Sequence, residues 1–184
     1  RGLREELQYE KSIWYVPQTF GGAEFWTREP TPAEIRMMTW GAALEGARGF
    51  QSFIRHGLNG FPKNQYMWET YAKTCREIQE LTPFFERGTE RTPRVASAAK
   101  LEARTYTLGK QTVAVLLNPG AEAASYKLVL PDAFNGKAYD LSDNSVREVV
   151  NGTIDGMLAP FGVQLFKLFA DPAEERAFAG DNRP

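Results

Sequence analysis

The sequence is poor in cysteine, in histidine and in net charge, and each shortage excludes a class of protein. A single thiol, Cys75, cannot form a disulfide within the chain, and with His56 it cannot complete a four-ligand zinc site. The formal net charge of -1 provides no basic excess for phosphates, so neither nucleic acid nor a membrane surface is an expected partner. No apolar run approaches the roughly 20 residues of a transmembrane helix.

The rest of the composition is typical of a globular protein. The 184 residues are 42% hydrophobic and 24% charged, enough for one ordinary domain or two small ones. The chain begins Arg1-Gly2-Leu3, without an initiator methionine or a signal-peptide pattern, so we expect a piece of a longer protein or a processed product. The sequence has no phosphate loop, nucleophile elbow or metal cluster, and no metal or organic cofactor is expected.

The first half of the sequence predicts two short parallel strands joined by a helix. Residues 13–16 (IWYV) form a β-rich run without polar alternation, which is typical of a strand covered on both faces, and residues 50–54 (FQSFI) form a second run. A helical crossover between them requires a parallel sheet. Two parallel strands do not make a stable sheet alone, so further strands must come from preceding residues or from another chain.

The crossover helix has clear boundary signals. Thr31 and Glu34 form a capping box, Pro32 suits the first helical position, and Gly49 is expected to follow the last helical residue. A second helix follows, with an apolar stripe made of Trp68, Tyr71, Ala72, Cys75, Ile78, Leu81 and Phe85. Cys75 lies in that stripe, where a buried structural thiol is expected.

The second half predicts an antiparallel sandwich. From Pro93, eight short strand patterns alternate with turn residues such as Asn118-Pro119-Gly120 and Asn151-Gly152. Alternation along one of them predicts that Val113, Val115 and Leu117 share a face. Residues 171–184 are polar and are expected to form a frayed tail.

The stretch "WYVPQTFGGAEFWTREPTPAEIRMMTWGAALEGARGFQSF" resembles the last two βα units of (β/α)8-barrel glycoside hydrolases, and "LAPFGVQLFKLF" resembles the closing strand of the β-sandwich that follows such barrels. The resemblance covers roughly residues 12–169. It implies an α/β segment followed by an all-β one: a partial TIM-barrel (βαβα) segment over 1–91, a C-terminal antiparallel β-sandwich over 92–170, and the polar tail.

The resemblance also implies a function. The chain would belong to a carbohydrate-active protein, a glycoside hydrolase with a glycan substrate and carboxylate chemistry, and its partner would be the N-terminal barrel segment or another chain supplying it. It further suggests a secreted or periplasmic location. Active sites of such barrels lie at the carboxyl ends of the strands. The side chains there that suit sugar binding are Gln18, Phe20, Trp26, Arg28, Arg55 and His56.

Glu24 is the candidate catalytic residue, because it is the carboxylate well inside the loop after the first strand. Glycoside hydrolysis usually needs two carboxyl groups, and the position at the strand end is Gln18, which is not one. Three interpretations of Glu24 remain open: a catalytic group, a ligand to substrate hydroxyls, or a solvated loop charge. A non-catalytic carbohydrate-binding or structural protein with a degenerate barrel site is therefore the alternative function.

The aromatic residues and the histidine also have structural interpretations. His56 is either a sugar contact or a loop histidine bonded to backbone, and Trp26 is either a stacking platform or a cap on its own loop. Trp14, Trp40 and Trp68 are expected in the core, and Tyr66 is undecided. Gln18, Glu24, Trp26, Arg55 and His56 are predicted to converge on one concave surface.

Overall fold

The computed structural model describes residues 11–21, 27–52, 65–132 and 134–170, and within these ranges the chain is mostly β-structure with two helices. The elements of the first part are β1 (Ile13–Tyr15), α1 (Pro32–Leu44), β2 (Ala47–Phe50) and α2 (Gln65–Arg87). They are followed by β3 (Thr89–Arg91), β4 (Arg94–Ala96), β5 (Glu102–Leu108), β6 (Gln111–Leu117), β7 (Ala124–Val129), β8 (Gly136–Asp140), β9 (Val146–Val149), β10 (Thr153–Leu158) and β11 (Val163–Phe169). Neither described helix combines the length and apolarity needed to cross a membrane.

The chain divides into two compact units, Arg1–Leu81 and Thr82–Pro184. In the first unit β1 and β2 are parallel, as predicted, with α1 between them in the chain. Trp14 pairs with Gly49, and a register shift separates this pair from the one before it. Strand β2 begins at Ala47, three residues earlier than the sequence pattern indicated.

Helix α1 begins as predicted and ends earlier than predicted. The Thr31 hydroxyl accepts from the Glu34 amide (3.3 Å), and the Thr31 amide donates to the Glu34 carboxylate (2.7 Å), which completes the capping box. The expectation that Gly49 follows the helix was wrong. The helix ends at Leu44, and the chain turns at Gly46, whose φ of 97° suits a residue without a side chain.

A polar contact inside the first unit joins the two helices. Trp40 is fully buried, as predicted, and its indole N–H donates to Glu77 of α2 (3.2 Å). The same Glu77 oxygen accepts from the Arg36 guanidinium (2.9 Å). The buried indole nitrogen therefore has a partner, and the two helices are held in a fixed relation.

Two of the tryptophans expected in the core are exposed instead. Trp14 is 67% exposed and Trp68 is 50% exposed, so both predictions were wrong; the undecided Tyr66 is 67% exposed. In α2, Tyr71, Ile78 and Leu81 are buried, as the predicted stripe indicated. Met67, which packs with Ile35, is buried in place of Trp68. Trp14 lies on the face of β1 away from α1, and no described element covers that face.

The second unit contains two antiparallel sheets, in the strand orders β10-β7-β4 and β3-β5-β6-β11-β8-β9. The eight predicted strands of residues 93–169 are all present, and β3 is an addition that the sequence pattern did not indicate. Both sheets contribute to one apolar core, with Leu128 and Ile154 from the smaller sheet and Ala114, Leu116 and Phe166 from the larger.

Strand β6 is buried on both faces. Ala114 and Leu116 belong to the core shared by the sheets, whereas Val113, Val115 and Leu117 alternate with them and are at most 2% exposed. This is the common face that the alternation predicted. Tyr106, paired with Val113, contacts the Phe85 ring of α2 edge-on at a centroid distance of 4.9 Å.

Candidate functional site

An open hollow lies beyond the carboxyl end of β1, between the loop that follows this strand and the first turns of α1. Its volume is about 280 Å³. The lining side chains come from both segments: Gln18, Thr27, Arg28, Pro30, Glu34, Met37 and Met38. The hollow thus combines amide, hydroxyl and charged groups with the apolar side chains of Met37 and Met38. This mixture suits a small ligand with both polar and apolar surfaces.

Gln18 links the two ends of the loop that follows β1 through hydrogen bonds. Its side-chain nitrogen donates to the carbonyl of Phe20 (2.9 Å) and to the carbonyl of Arg28 (3.2 Å). Gly21 lies at the same place, where a Cβ would collide with the backbone of Arg28 and Glu29. Only a glycine allows the two backbone segments to approach this closely, so the base of the loop is closed.

Arg28 and Glu34 form a two-pronged ion pair at the edge of the hollow. The guanidinium Nη1 donates to Oε2 (2.7 Å) and Nη2 donates to Oε1 (2.6 Å). The hydrogen bond from Arg28, together with those from Thr31, lowers the pKa of Glu34 to about 2. Glu34 is therefore ionised at neutral pH and holds no proton to give, so it serves the loop and helix start rather than acid catalysis.

The structure brings together two of the residues predicted from sequence. Gln18 and Arg28 both line the hollow. Phe20 is only 2% exposed and has no ring face left for a sugar, so a direct contact by Phe20 does not fit this structure. The other predicted residues, Glu24, Trp26, Arg55 and His56, lie outside the described residues.

Sequence reasoning did not assign Thr27, Pro30, Glu34, Met37 or Met38 to a site. The capping box placed Glu34 at the loop–helix junction, which was a usable signal. Met37 and Met38 lie on α1, and Met38 packs against the Ile35 core as well as lining the hollow. The positions of Met37 and Met38 in the sequence fit a buried helix face and the wall of a hollow equally well, so the sequence could not separate these two environments.

A second, apolar groove lies on the helix-facing side of β1. It has a volume of about 300 Å³ and is lined by Ile13, Tyr15, Met38, Gly41, Ala42, Glu45 and Ala47. Among the described residues β1 is hydrogen-bonded to β2 alone, so its other edge has no strand partner there.

Cys75 is half-buried beside Tyr71, and burial raises the pKa of its thiol. A thiol that stays protonated is a poor nucleophile and a poor metal ligand, which fits the structural role expected for it. Within residues 11–21, 27–52, 65–132 and 134–170, no three His, Cys, Asp or Glu side chains are grouped so that they could hold a metal ion.

Comparison with solved structures shows that the fold of this chain resembles parts of glycoside hydrolases. No protein-family model matches the chain, and no curated protein matches it in sequence. Among solved structures, the α-amylase of Geobacillus thermoleovorans, crystallised with acarbose, is similar over 76% of this chain and 34% of its own, with 17% identity and a TM-score of 0.58.

Two further structures extend the likeness over nearly the whole chain. The maltogenic α-amylase AmyB of Thermotoga neapolitana is 13% identical over 93% of this chain and 46% of its own, with a TM-score of 0.56. The GH30 endoxylanase of Clostridium papyrosolvens is 18% identical over 91% and 44%, with a TM-score of 0.54. The chain spans less than half the length of these structures, and its resemblance to part of a glycoside hydrolase is confirmed in fold.

Proposed function

We propose that this chain is the carboxyl-terminal part of a (β/α)8-barrel glycoside hydrolase that acts on a glycan with carboxylate acid/base chemistry. Residues 1–91 would supply the last part of the barrel, residues 92–170 a β-sandwich, and residues 171–184 a polar tail. The observation that carries the proposal is the fold likeness to glycoside hydrolases over as much as 93% of the chain.

The arrangement of the first unit supports a barrel. Parallel β1 and β2 have a helix between them in the chain, and the hollow lies at the carboxyl end of β1, where barrel enzymes place their sites. The apolar groove is lined by Ile13 and Tyr15 of β1, Ala47 of β2 and Ala42 of α1, and among the described residues one edge of β1 has no strand partner. A preceding strand and helix would pair with this edge and fill the groove. We propose the N-terminal barrel segment, in the same chain or another, as that partner.

In the proposed reaction Glu24 is one of the two carboxyl groups, and the rest of the barrel supplies the second. Gln18 and Arg28 hold the base of the loop that carries Glu24 and Trp26, through the hydrogen bonds described above. Trp26, Arg55 and His56 would contact the sugar. Neither metal nor organic cofactor is required by this chemistry, and a secreted or periplasmic location would bring the protein to extracellular glycans.

The test is Glu24→Gln in the complete protein, which removes the ionisable group and keeps the shape. We expect turnover of a glycan to fall by about a thousandfold or more while binding is retained, because carboxyl catalysis acts mainly in the transition state. Glu80→Gln, an exposed carboxylate on α2, is the matched control and should leave turnover unchanged. Unchanged turnover in Glu24→Gln would remove this residue from the mechanism.

The second candidate function is a carbohydrate-binding protein without catalysis. Two observations favour it: the residue after β1 is Gln18 rather than a carboxylate, and Glu34, the carboxylate that lines the hollow, is ionised and engaged by Arg28. A complete protein that binds glycans and turns none of them over would select this alternative.

A further inference from the structure

On one side of the second unit, the two sheets meet along a seam between β9 and β10. Strand β9 is the last strand of the six-stranded sheet, and β10 is the first of the three-stranded sheet. The turn at Asn151-Gly152 connects them, and a single bridge between Val150 and Thr153 lies next to this turn. Beyond this bridge, no ladder pairs β9 with β10 in the described part of the chain. The rest of the seam is therefore closed by side chains.

Arg147 of β9 crosses this seam. Its Nη1 donates to the backbone carbonyl of Asp155 in β10 (3.1 Å), so a side chain of one sheet edge is bonded to the backbone of the other. Its Cζ lies 5.4 Å from the centroid of the Phe166 ring, which belongs to the core shared by the sheets. Only 27% of the arginine side chain is exposed. The guanidinium therefore lies at the junction of both sheet edges and the core.

A buried carboxylate lies behind the guanidinium. Asp140 of β8 is 0% exposed, and its Oδ2 is 3.6 Å from Nη2 of Arg147. The same oxygen accepts from the Gln164 amide (2.7 Å), whose oxygen accepts from the Tyr126 hydroxyl of β7 (2.6 Å). A buried charge is tolerated where opposite charge and hydrogen bonds compensate for the lost water. Asp140 therefore holds the guanidinium in the seam, and Gln164 and Tyr126 extend the contact to the smaller sheet.

Gly156 of β10 leaves the space that the guanidinium occupies. A Cβ at this position would be 2.6 Å from Nη1 of Arg147 and 2.6 Å from the hydroxyl oxygen of Tyr126. Both distances are too short for non-bonded atoms, so a side chain at position 156 would displace Arg147 or Tyr126. Glycine thus permits the close approach through which Arg147 reaches the neighbouring Asp155 carbonyl.

We propose that Arg147 is a latch that closes the seam between β9 and β10, and that the sandwich opens locally at this seam when the latch is lost. An open edge strand offers unpaired backbone groups to a second copy of the chain, and inward-pointing charges are one way in which proteins block such pairing. Arg147 points inward and bonds the edge of β10. The latch therefore slows the opening of the seam and keeps β10 from pairing with β10 of a second copy. This inference concerns the second unit and does not depend on the proposed action on glycans.

The experiment is native-state hydrogen exchange of the complete protein, compared between β10 and β5, with the oligomeric state measured by sedimentation velocity. Arg147→Met removes the guanidinium and keeps an apolar stem. It should speed exchange in β10 by about tenfold or more and leave β5 unchanged, because a hydrogen bond and an ionic contact across the seam are lost. Arg104→Met is the matched control: Arg104 of β5 is 24% exposed and lies 3.4 Å from Glu90 of β3, within the same sheet. Its exchange in β10 should match the parent.

Two further variants separate a latch from a buried charge. Arg147→Met also leaves Asp140 buried without its cation, which destabilises the unit as a whole. The double variant Asp140→Asn/Arg147→Met removes both charges, so its urea midpoint should recover while β10 still exchanges fast and dimers form at high concentration. Gly156→Ala keeps both charges and should also speed exchange in β10. Parent-like exchange in the double variant, or equally fast exchange in Arg104→Met, would overturn the latch. A double variant that exchanges fast and stays monomeric at every concentration would overturn the block on pairing.

Discussion

Arg28 and Glu34 join the loop after β1 to the start of α1, and their contact defines what the loop can do. The carboxylate is 12% exposed and accepts from both Arg28 nitrogens and from the Thr31 amide. The guanidinium is 65% exposed, which leaves its outer edge open to solvent. At the scale of single residues, the pair fixes the backbone on one side of the hollow and gives the site a carboxylate that stays ionised.

This contact predicts a pH dependence of stability. The pKa of Glu34 falls from 4.5 to about 2 on folding, so its contribution is present above pH 4.5 and is lost as the pH falls through about 2. Glu34→Gln should therefore lower the urea midpoint of the first unit at neutral pH, and the difference from the parent should shrink between pH 4.5 and 2. A difference that stays constant over that range would contradict the ionic contact. Glu80→Gln, on exposed α2 surface, is the control.

Local contacts could be predicted from the sequence, and contacts made across the loop could not. Thr31 and Glu34 are three residues apart, and a helix start brings such a pair together in any surroundings. Arg28 contacts Glu34 because the loop after β1 folds back onto the start of α1, and no local pattern in the sequence specifies that loop conformation. The exposure of Trp14 depends on which segments cover its face, and no property of residues 13–16 determines that.

Among the elements of the second unit, one buried side chain holds two turns together. Asn118 is 0% exposed, and its amide nitrogen donates to the carbonyls of Glu122 (2.7 Å) and Ala159 (2.9 Å). Its side-chain oxygen accepts from the Gly120 amide (3.0 Å). The turn after β6 is thus fixed to the turn before β11, so neither can move without breaking the hydrogen bonds of the buried Asn118 side chain.

Asn118→Ala should destabilise the second unit by about 2 kcal/mol or more, because two carbonyl groups and one amide lose their partner. The measurement is the free energy of unfolding in urea. Asn135→Ala is the matched control: Asn135 is exposed and accepts one hydrogen bond, from the Asn151 amide (2.8 Å). Its loss should stay below about 1 kcal/mol, and equal losses in the two variants would contradict the role given to Asn118.

The strands of the second unit were predictable because each one carries its own signal. Alternation and turn residues mark them locally, and Gly109 and Gly152 occupy left-handed positions, with φ of 60° and 69°, at two of the turns. Strand β3 was missed because Thr89–Arg91 is short, exposed and follows a helix directly. The strand orders join elements that are distant in the chain, such as β6 with β11, and no local pattern encodes that choice.

At the scale of the whole molecule, the two compact units differ in how well they support themselves. The first has two paired strands in its described part, whereas the second has a six-stranded sheet and a three-stranded sheet around a common core. Two short parallel strands bury little and hold few hydrogen bonds. The units should therefore open at different free energies when this chain is studied alone.

Hydrogen exchange of the isolated chain measures this difference. Amides of β5, β6 and β11 should be protected up to the free energy of global unfolding, and those of β1 and β2 should exchange through a lower-energy opening. Supplying the proposed N-terminal barrel segment should slow exchange in β1 and β2 and leave β6 unchanged. Equal protection of β1 and β6 in the chain alone would contradict a first unit that depends on other segments.

The contact between Gly49 and Trp14 has a consequence for the history of the sequence. Because the indole occupies the space in which a side chain at position 49 would lie, the two positions cannot change independently. A side chain gained at position 49 would displace the indole from its place against β2, so the tryptophan would have to move or be replaced by a smaller residue. Related sequences should therefore have either glycine at position 49 with a large aromatic residue at position 14, or a larger residue at 49 with a small one at 14. This covariation should be detectable even where the rest of the strand has diverged.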